Sequence, residues 1–225
     1  MKKILLILAA ALVLSSCATT KKEAPVQAAQ VAVTIKVNYV QLGNNAFGNA
    51  EYAKAFSYYQ RAENITDPTA QNHLGDMYLN GAGVSQDYEK AVEWFEKSAA
   101  QGNSFAQNSL GLMYFKGIGV SQDYEKAVEW FEKAAAQGNS SAQYNLGLMY
   151  LMYLKGIGVS QNYEKAAEWF EKAAAQGNSN AQESLGILYY LGDGVEQNYE
   201  KAKELWERAA AQGNSDAQYH LEKLF

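Results

Sequence analysis

The sequence predicts an all-α solenoid, and two observations lead to this fold class. The stretch KGIGVSQDYEKAVEWFEKAAAQGN, residues 116–139, has close copies that begin at residues 80, 155 and 191. Within each copy, apolar residues recur every three or four positions, which is helical spacing. A fixed period in this range is typical of arrays in which similar units stack in one direction. Equivalent alanines lie 36, 36, 39 and 36 residues apart: Ala70, Ala106, Ala142, Ala181 and Ala217.

The helix that follows each glycine-rich loop has recognisable start and stop residues. In residues 116–139 it is predicted to run from Asp123, a residue type favoured at the N-cap, to Gly138, which suits a left-handed residue after a helix. Trp130 and Phe131 supply its bulk, and each such aromatic is worth about 1.5–3 kcal/mol when fully buried. The other copies keep both signals: Asp87, Asn162 and Asn198 at the start, and Gly102, Gly177 and Gly213 at the end.

Another helix is predicted directly after this turn, from Ser140 to about Leu151. Its start allows two alternatives, because the Ser-x-x-Gln sequence fits a capping box, whereas the preceding asparagine could itself be the N-cap. In the first copy, Asp67 and Pro68 fit a cap followed by proline at the first helical position. This helix ends at two glycines one residue apart, which permit a sharp turn. Each unit is therefore a helix, a Gly-x-Gly loop, a helix and a tight Gly-Asn turn.

The repeated residues resemble a known repeat family. The order Leu-Gly-x-x-Tyr, Gly-x-Gly, Tyr-x-Lys-Ala-x-x-Trp-Phe and Ala-Ala-x-Gly-Asn is similar to the Sel-one-like repeat, a branch of the tetratricopeptide superfamily, over about residues 74–221. The resemblance implies a right-handed α-α superhelix whose stability comes from contacts between neighbouring units. Leu42 and Ala55 are closer in sequence than the equivalent Leu74 and Ala91, so the segment before the copies resembles a plain tetratricopeptide pair with a shorter loop.

The N-terminal segment is predicted to be an export signal rather than part of the fold. Lys2 and Lys3 form a positive start, and residues 4–14 form an apolar core too short for a comfortable membrane span. Residues 14–17, Leu-Ser-Ser-Cys, resemble a bacterial lipobox, which implies cleavage before Cys17 and lipidation of that cysteine. Ala18 resembles the sorting signal for the outer membrane, and two or more acyl chains anchor a protein stably. An ordinary secretory signal with a chance cysteine is the alternative.

The remaining boundaries follow from composition and from the repeat. Residues 1–17 are assigned to the signal, residues 18–32 to a flexible tether, and residues 33–66 to the first helix pair. Four Sel-one-like units are predicted over residues 67–213, and a solvent-facing capping helix over residues 214–225. The longer step reflects a duplication, since Leu-Met-Tyr at residues 148–150 recurs at residues 151–153. It predicts an extended helix or a bulge, and an apolar knob offered to a partner is the alternative.

Charge and composition argue against some classes of partner. The chain has 19 Lys and Arg residues against 24 Asp and Glu residues, and the acidic balance grows once Lys2 and Lys3 are removed. This argues against nucleic acid as a partner and against a polybasic membrane patch. Oppositely charged residues four positions apart are interpreted as solvated helix faces: Glu93 and Lys97, Glu129 and Lys133, Glu168 and Lys172, and Glu204 and Arg208.

The sequence contains no recognisable catalytic or metal-binding motif. It has no His-Glu-x-x-His, Cys-x-x-Cys, Ser-x-x-Lys or Lys-Thr-Gly, and its Gly-x-Gly follows a helix rather than a strand. His73 and His220 occupy a position that carries serine or asparagine in other copies, so both are predicted to be partly exposed and inert. We expect no catalytic residues, no metal and no cofactor. Cysteine-rich Sel-one-like proteins are linked to β-lactam binding, but here Cys17 is the single cysteine.

Positions that vary between copies are the candidates for binding. By resemblance to tetratricopeptide arrays, the first helix of each pair lines the concave groove of the superhelix. Its variable positions mix apolar, aromatic and amide groups, which suits an extended peptide. The alternative is that Leu112, Leu148 and Ile187 are core residues of the next stack. The candidate groove residues are Asn72, Asp76, Leu79, Asn108, Leu112, Phe115, Tyr144, Leu148, Leu151, Glu183, Ile187, Tyr190 and Tyr219.

These observations predict a lipid-anchored adaptor or scaffold of the bacterial cell envelope, facing the periplasm from the outer membrane. We expect a monomer whose groove binds a protein or peptide partner and whose Cys17 anchor inserts in the membrane. Two alternatives remain open: a hydrolase acting on cell-wall or β-lactam substrates, and a secreted or surface factor that acts on host cells. Turnover of nitrocefin or muropeptides by the purified domain, lost on changing one groove residue, would favour the hydrolase.

Overall fold

The computed structural model of the protein describes residues 37–62, 64–152 and 160–224, and these residues form eleven α-helices and no strand. The predicted all-α class is therefore confirmed. The signal segment with Cys17 and the tether at residues 18–32 lie outside the described residues. The helices are α1 Tyr39–Gly48, α2 Tyr52–Arg61, α3 Pro68–Asn80, α4 Tyr88–Ala100, α5 Ser104–Lys116, α6 Tyr124–Ala136, α7 Ser140–Leu151, α8 Tyr163–Ala175, α9 Ser179–Leu191, α10 Tyr199–Ala211 and α11 Ser215–Leu224.

The helices pack in the pairs that the repeat predicts. α1 packs on α2, α3 on α4, α5 on α6, α7 on α8, and α9 on α10, while α11 closes the array against α10. We call α1, α3, α5, α7, α9 and α11 the first helices, and the even-numbered helices the second helices. From α5 onward, each first helix also packs on the second helix of the preceding pair. Each pair therefore covers an apolar face of its neighbour, as in other repeat proteins.

The helix starts confirm the predicted signals and resolve the alternative for the first helices. Asn139 is the N-cap of α7, because its side chain accepts a hydrogen bond from the backbone N–H of Ala142. The glutamine of Ser-x-x-Gln forms no capping box, since Gln143 bonds to neighbouring helices instead. Asp67 caps α3 ahead of Pro68. The second helices from α4 onward are capped by the predicted residues: Asp87, Asp123, Asn162 and Asn198.

Each pair closes around a buried aromatic ring that lies on a glycine. Phe131 of α6 is only 1% exposed and lies against Gly111 of α5, where an added Cβ would come within 2.5 Å of the ring. A residue without a side chain is therefore required for the helices to approach this closely. The same contact recurs in the other pairs: Tyr59 with Gly43, Phe95 with Gly75, Phe170 with Gly147, and Trp206 with Gly186.

The tryptophans of α4, α6 and α8 occupy a more exposed place than the sequence predicts. Trp130 was expected to fill the interior beside Phe131, but it is only partly buried. Lys133, one turn later, places its ammonium 4.1 Å from the centre of the Trp130 ring. Such a contact is worth about 0.5–1 kcal/mol at an exposed site. The solvated faces are confirmed, but these lysines contact tryptophan: Lys97 lies over Trp94 and Lys172 lies over Trp169.

A ladder of buried glutamines ties successive pairs together. Gln143 of α7 donates its Nε2 hydrogen to the backbone oxygen of Ala135, near the end of α6, at 3.3 Å. Its Oε1 accepts a hydrogen bond from Gln176, the C-cap of α8, at 2.8 Å. Gln107 and Gln182 make the same two bonds in their own pairs. Each glutamine therefore adds a second hydrogen bond to a helix-end carbonyl that already accepts one from a backbone N–H, as Ala135 does from Gly138, and it ties two pairs together.

The loops between paired helices differ in length as the sequence predicts. Residues 49–51 join α1 to α2, whereas residues 81–87 join α3 to α4, so the second loop is four residues longer. Its second glycine, Gly83, has a φ of 72° and would meet the backbone of Tyr52 and Ala53 within 3 Å if it carried a Cβ. The longer loop therefore rests on the start of the preceding second helix.

The extra residues of the third Sel-one-like unit do not lengthen its first helix. α7 has 12 residues, against 13 in α5 and α9. The backbone bond that closes this loop joins Asn162 to Tyr150, where the preceding unit uses Asp123 and Tyr114. The insertion thus lies between Tyr150 and Asn162, and the prediction of an extended helix was wrong. Residues 153–159 lie outside the described residues, so the bulge and the apolar knob stay predictions.

The glutamine ladder can be tested against a matched position in the same chain. Gln143→Ala would remove two side-chain hydrogen bonds, to the Ala135 carbonyl and from the Gln176 amide, so we expect the free energy of unfolding to fall by about 1–3 kcal/mol. Gln218 holds the equivalent position in α11 but is exposed, so Gln218→Ala should change stability by less than about 0.5 kcal/mol. Urea unfolding followed by circular dichroism measures both variants. Equal losses would contradict the ladder.

Candidate functional site

The candidate groove residues lie on the first helices in three rows, and we call their combined surface the first-helix face. All of them are half-buried except Tyr219, which is 58% exposed. Because residues four apart share one side of a helix, the first and second rows are neighbours on each helix. The first row is Asn72, Asn108, Tyr144, Glu183 and Tyr219; the second is Asp76, Leu112, Leu148 and Ile187; the third is Leu79, Phe115, Leu151 and Tyr190.

The apolar residues of the second row have two roles in the structure. Leu112, Leu148 and Ile187 pack against the buried core that runs from α6 to α11, and each also keeps part of its surface accessible. The core interpretation and the groove interpretation therefore each describe part of these side chains. Whether the accessible part binds a partner stays a prediction.

Aromatic side chains of the face are held by rings of the second helices. Tyr190 lies 5.1 Å from Tyr199 and 5.7 Å from Trp206, measured between ring centres. Tyr144 lies 5.7 Å from Phe170 in the same measure. Side chains that are already ordered lose little conformational entropy when a partner binds. The face thus presents pre-ordered aromatic surface.

Polar side chains connect neighbouring first helices beside the first row. Asn145 donates a hydrogen bond to Asn108 at 2.9 Å, which joins α7 to α5. His220 lies 3.1 Å from a carboxylate oxygen of Glu183 and stacks on Trp206, which joins α11 to α9. These residues are 37 positions apart in both pairs, so sequence reasoning missed both contacts.

His73 belongs to a separate polar cluster where α1, α2 and α3 meet. Its Nδ1 lies 3.0 Å from the Tyr59 hydroxyl, which donates a hydrogen bond to Asn44, and its ring stacks on Phe47 at 3.9 Å. Burial lowers the pKa of His73. Both histidines are partly exposed as predicted, and both take part in packing.

Asp76 is the exception in the second row. Its carboxylate is half-buried and accepts one hydrogen bond, from Nδ2 of Asn72 at 3.1 Å. Burial raises the pKa of Asp76 to about 6, although the bond from Asn72 acts in the other direction. The Oδ1 atom of Asn72 is itself buried and has no hydrogen-bond partner. Asp76 therefore places an under-satisfied carboxylate in a row that is otherwise apolar, where it is expected to cost stability.

Charge is distributed unequally between the two kinds of helix. α7 carries no charged residue, and α5 and α9 carry one each, Lys116 and Glu183. In contrast, each second helix from α4 onward carries three glutamates and at least two basic residues. Interface cores in proteins are depleted in charge and enriched in aromatic side chains. The first-helix face has this composition.

Among the described residues, no three His, Cys, Asp or Glu side chains come together in an arrangement that could hold a metal ion. Two shallow depressions lie on α10 and beside the turn between α1 and α2, and neither is lined by a candidate groove residue. None of the described helices combines the length and the hydropathy needed to cross a membrane.

The energetic cost of Asp76 can be measured directly. Burial raises the pKa of Asp76 in the folded protein, so the folded state binds the Asp76 proton more tightly than the unfolded state does. The stability that this proton contributes is therefore lost as pH rises from about 4 through about 6. We therefore expect Asp76→Asn to raise Tm at pH 7.5 by about 2–4 °C. At pH 4.5 the gain should vanish or reverse. Calorimetry measures the Tm of Asp76→Asn and of the control variant Glu132→Gln, which removes an exposed charge on α6. A lower Tm for Asp76→Asn than for the wild type at pH 7.5 would contradict an energetic cost of the Asp76 carboxylate.

Comparison with known proteins identifies the repeat. The sequence model of the Sel1 repeat matches residues 46–64, 68–103, 104–139, 140–178 and 179–214. The crystal structure of c5321, a protective antigen of uropathogenic Escherichia coli with an SLR fold, is 40% identical with a TM-score of 0.72. That match covers 81% of this chain and 39% of c5321, so the chain spans about two fifths of this relative.

A second relative matches over more of its own length. The Sel1 repeat protein from Oxalobacter formigenes is 32% identical with a TM-score of 0.76, and the match covers 83% of this chain and 73% of that protein. The immunity protein Pa5087 from Pseudomonas aeruginosa shares the fold, at 22% identity and a TM-score of 0.55, over 84% of this chain and 72% of its own. No curated protein sequence matches this chain. From the five repeat matches and the stacked helix pairs, we conclude that the chain belongs to the Sel1 repeat family.

Proposed function

We propose that this protein is a lipid-anchored scaffold of the bacterial cell envelope that binds a segment of a protein partner along the first-helix face. Sel1 repeat proteins usually bind protein partners, which supports the general role. One observation carries the proposal for this face. The buried framework is nearly identical in every pair, whereas the accessible residues of the first row change from Asn72 and Asn108 to Tyr144, Glu183 and Tyr219.

The chemistry of the face suits an extended peptide segment. Amide side chains such as Asn108 can bond to a peptide backbone, while Tyr144 and Tyr190 offer aromatic surface to its side chains. Tyrosines are frequent among the residues that dominate binding energy at protein interfaces. The rings packed behind them reduce the entropy lost on binding.

The repeat itself supports a scaffold rather than an enzyme. A catalytic centre needs unlike groups that converge at one point, with a nucleophile or base in reach of its partner. This chain presents near-identical groups at each step of the array, and Sel1 repeat proteins are generally non-enzymatic scaffolds. The varied residues are spread over successive first helices, which suits contact along a length of chain.

The proposed anchor rests on the N-terminal sequence. The apolar stretch at residues 4–14 followed by Leu-Ser-Ser-Cys supports cleavage and lipidation at Cys17, and Ala18 supports sorting to the outer membrane. The tether at residues 18–32 would let the repeat domain reach partners in the periplasm. A second candidate location is the cell surface, which the likeness to the protective antigen c5321 favours.

The anchor can be tested by fractionation. Cys17→Ala removes the thiol that would carry the diacylglyceryl group, so we expect the protein to move from the membrane fraction to the soluble fraction and to lose labelling by radioactive palmitate. The wild-type protein in intact cells should be protected from added protease if it faces the periplasm. Unchanged membrane association of the variant would contradict the anchor. Digestion of the wild-type protein in intact cells would instead favour the surface location.

The face can be tested by crosslinking in membranes followed by affinity capture. Tyr144→Ala and Tyr190→Ala remove aromatic surface from the face, so we expect each to reduce capture of the partner about tenfold, the effect of an interface anchor. Tyr88→Ala is the control, because Tyr88 is 42% exposed at the start of α4 and belongs to none of the three rows. Circular dichroism checks that all variants fold. Equal capture by all three variants and the wild type would argue against the face.

A further inference from the structure

The second row of the first-helix face contains one residue of a different chemical type from the rest. α5, α7 and α9 carry Leu112, Leu148 and Ile187, whereas α3 carries Asp76. The chain therefore supplies its own comparison, since three equivalent helices use an apolar side chain in the same surroundings. The packing of the array does not require a carboxylate here.

The carboxylate of Asp76 has no cationic partner in the structure. Among the described residues, its one polar contact is the hydrogen bond from Asn72, and no Lys, Arg or His nitrogen lies within 4.0 Å of it. Asn72 holds the carboxylate through its Nδ2 atom, while its own Oδ1 atom is buried and out of reach of an outside group. The Asp76 carboxylate therefore offers oxygen acceptors, and a donor with a positive charge is what would complement it.

Glu183 shows what a satisfied carboxylate on this face is like. It lies in the first row, and its Oε1 atom is 3.1 Å from His220 while a second oxygen accepts a bond from Ser184. Its charge is therefore already engaged within the chain. Of the two carboxylates in the three rows, Asp76 is the one that remains for a partner.

We propose that Asp76, held in place by Asn72, binds a lysine or arginine side chain of the partner segment, whose following apolar side chains lie along Leu112, Leu148 and Ile187. This inference rests on the proposed peptide-binding role of the face. The bound cation would neutralise a carboxylate in a half-buried place, where charge-assisted hydrogen bonds are stronger than at a fully exposed surface. One basic group at one end of an apolar row also fixes the register of the segment.

The position of Asp76 supports a binding role. A half-buried carboxylate without a cationic partner, at a position where three sister helices use leucine or isoleucine, is typical of a site kept for function. The equivalent position in α11, beyond the four residues of the second row, carries Lys223, so opposite charges lie at the two ends of this line of positions. A bound segment whose basic residue contacts Asp76 therefore has complementary charge in one orientation along the array and not in the reverse orientation.

The test uses a library of random twelve-residue peptides displayed on phage and selected on the detergent-solubilised full chain. We expect the peptides selected on the wild type to be enriched in Lys and Arg, and to lose that enrichment on Asp76→Leu. Asp76→Leu is expected to fold, because α5 and α7 already carry leucine in this row. Glu132→Gln removes an equal charge from an exposed position on α6 and should leave the enrichment unchanged.

A second measurement isolates the pair. For a selected peptide, replacing its basic residue with norleucine should weaken binding to the wild type about tenfold, as measured by fluorescence polarisation. The same replacement should have little effect on binding to Asp76→Leu. Equal weakening with both proteins would overturn the inference, since the basic group would then bind elsewhere.

Other outcomes separate this inference from the function on which it rests. Selected peptides that lose binding with Tyr144→Ala and Tyr190→Ala but show no basic enrichment would overturn the role of Asp76 and support the peptide-binding face. Equal enrichment in basic residues on the wild type and Asp76→Leu would also overturn it. If no peptide is selected on any form of the chain, both the inference and the peptide-binding function fail.

Discussion

The contact on which the rest of the structure depends is an aromatic ring lying directly on a glycine between paired helices. Phe131 on Gly111 shows why the repeat is so uniform, because any side chain at the glycine would collide with the ring. The contact fixes how closely two helices approach, and this spacing lets the next pair dock with its own ring. The buried glutamines then tie each pair to the preceding one. With the framework fixed in this way, the outward positions of the first helices can vary.

Much of this framework could be predicted from local sequence. The helices, their caps and the loop lengths follow from spacing and from residues such as Asp123 and Gly138, whose effects act within one turn. Local sequence was insufficient where a side chain's environment depends on how the helices pack. Gln143 fits a capping box locally, but it bonds to helix ends that only the fold brings near it. Trp130 follows helical spacing, yet its ring lies at the edge of the core beneath Lys133.

The first-helix face could likewise be predicted from the sequence only in part. Comparing copies within the chain placed Tyr144 and Leu112 in rows, and the rows lie on equivalent helices in the structure. The difference between Asp76 and its apolar equivalents was also visible in the sequence. What the sequence could not show is which carboxylates are already paired, because Glu183 and His220 are far apart along the chain. That distinction depends on how the first helices stack. It separates the carboxylate of Glu183, which is paired within the chain, from that of Asp76, which is not.

In a stacked array the stability is approximately a sum of contributions from each pair and from its contacts with neighbouring pairs, so the cost of one residue stays local. In the second row, Asp76 is the one residue that is expected to lower stability. Leu112 and Leu148 contribute to packing, while Asp76 gives up that contribution inside a pair whose ring, Phe95, is fully buried on Gly75. The local cost is thus offset by an intact framework beneath it. Specificity in a near-identical array must come from such departures, because a row of equal side chains cannot define where a bound segment begins.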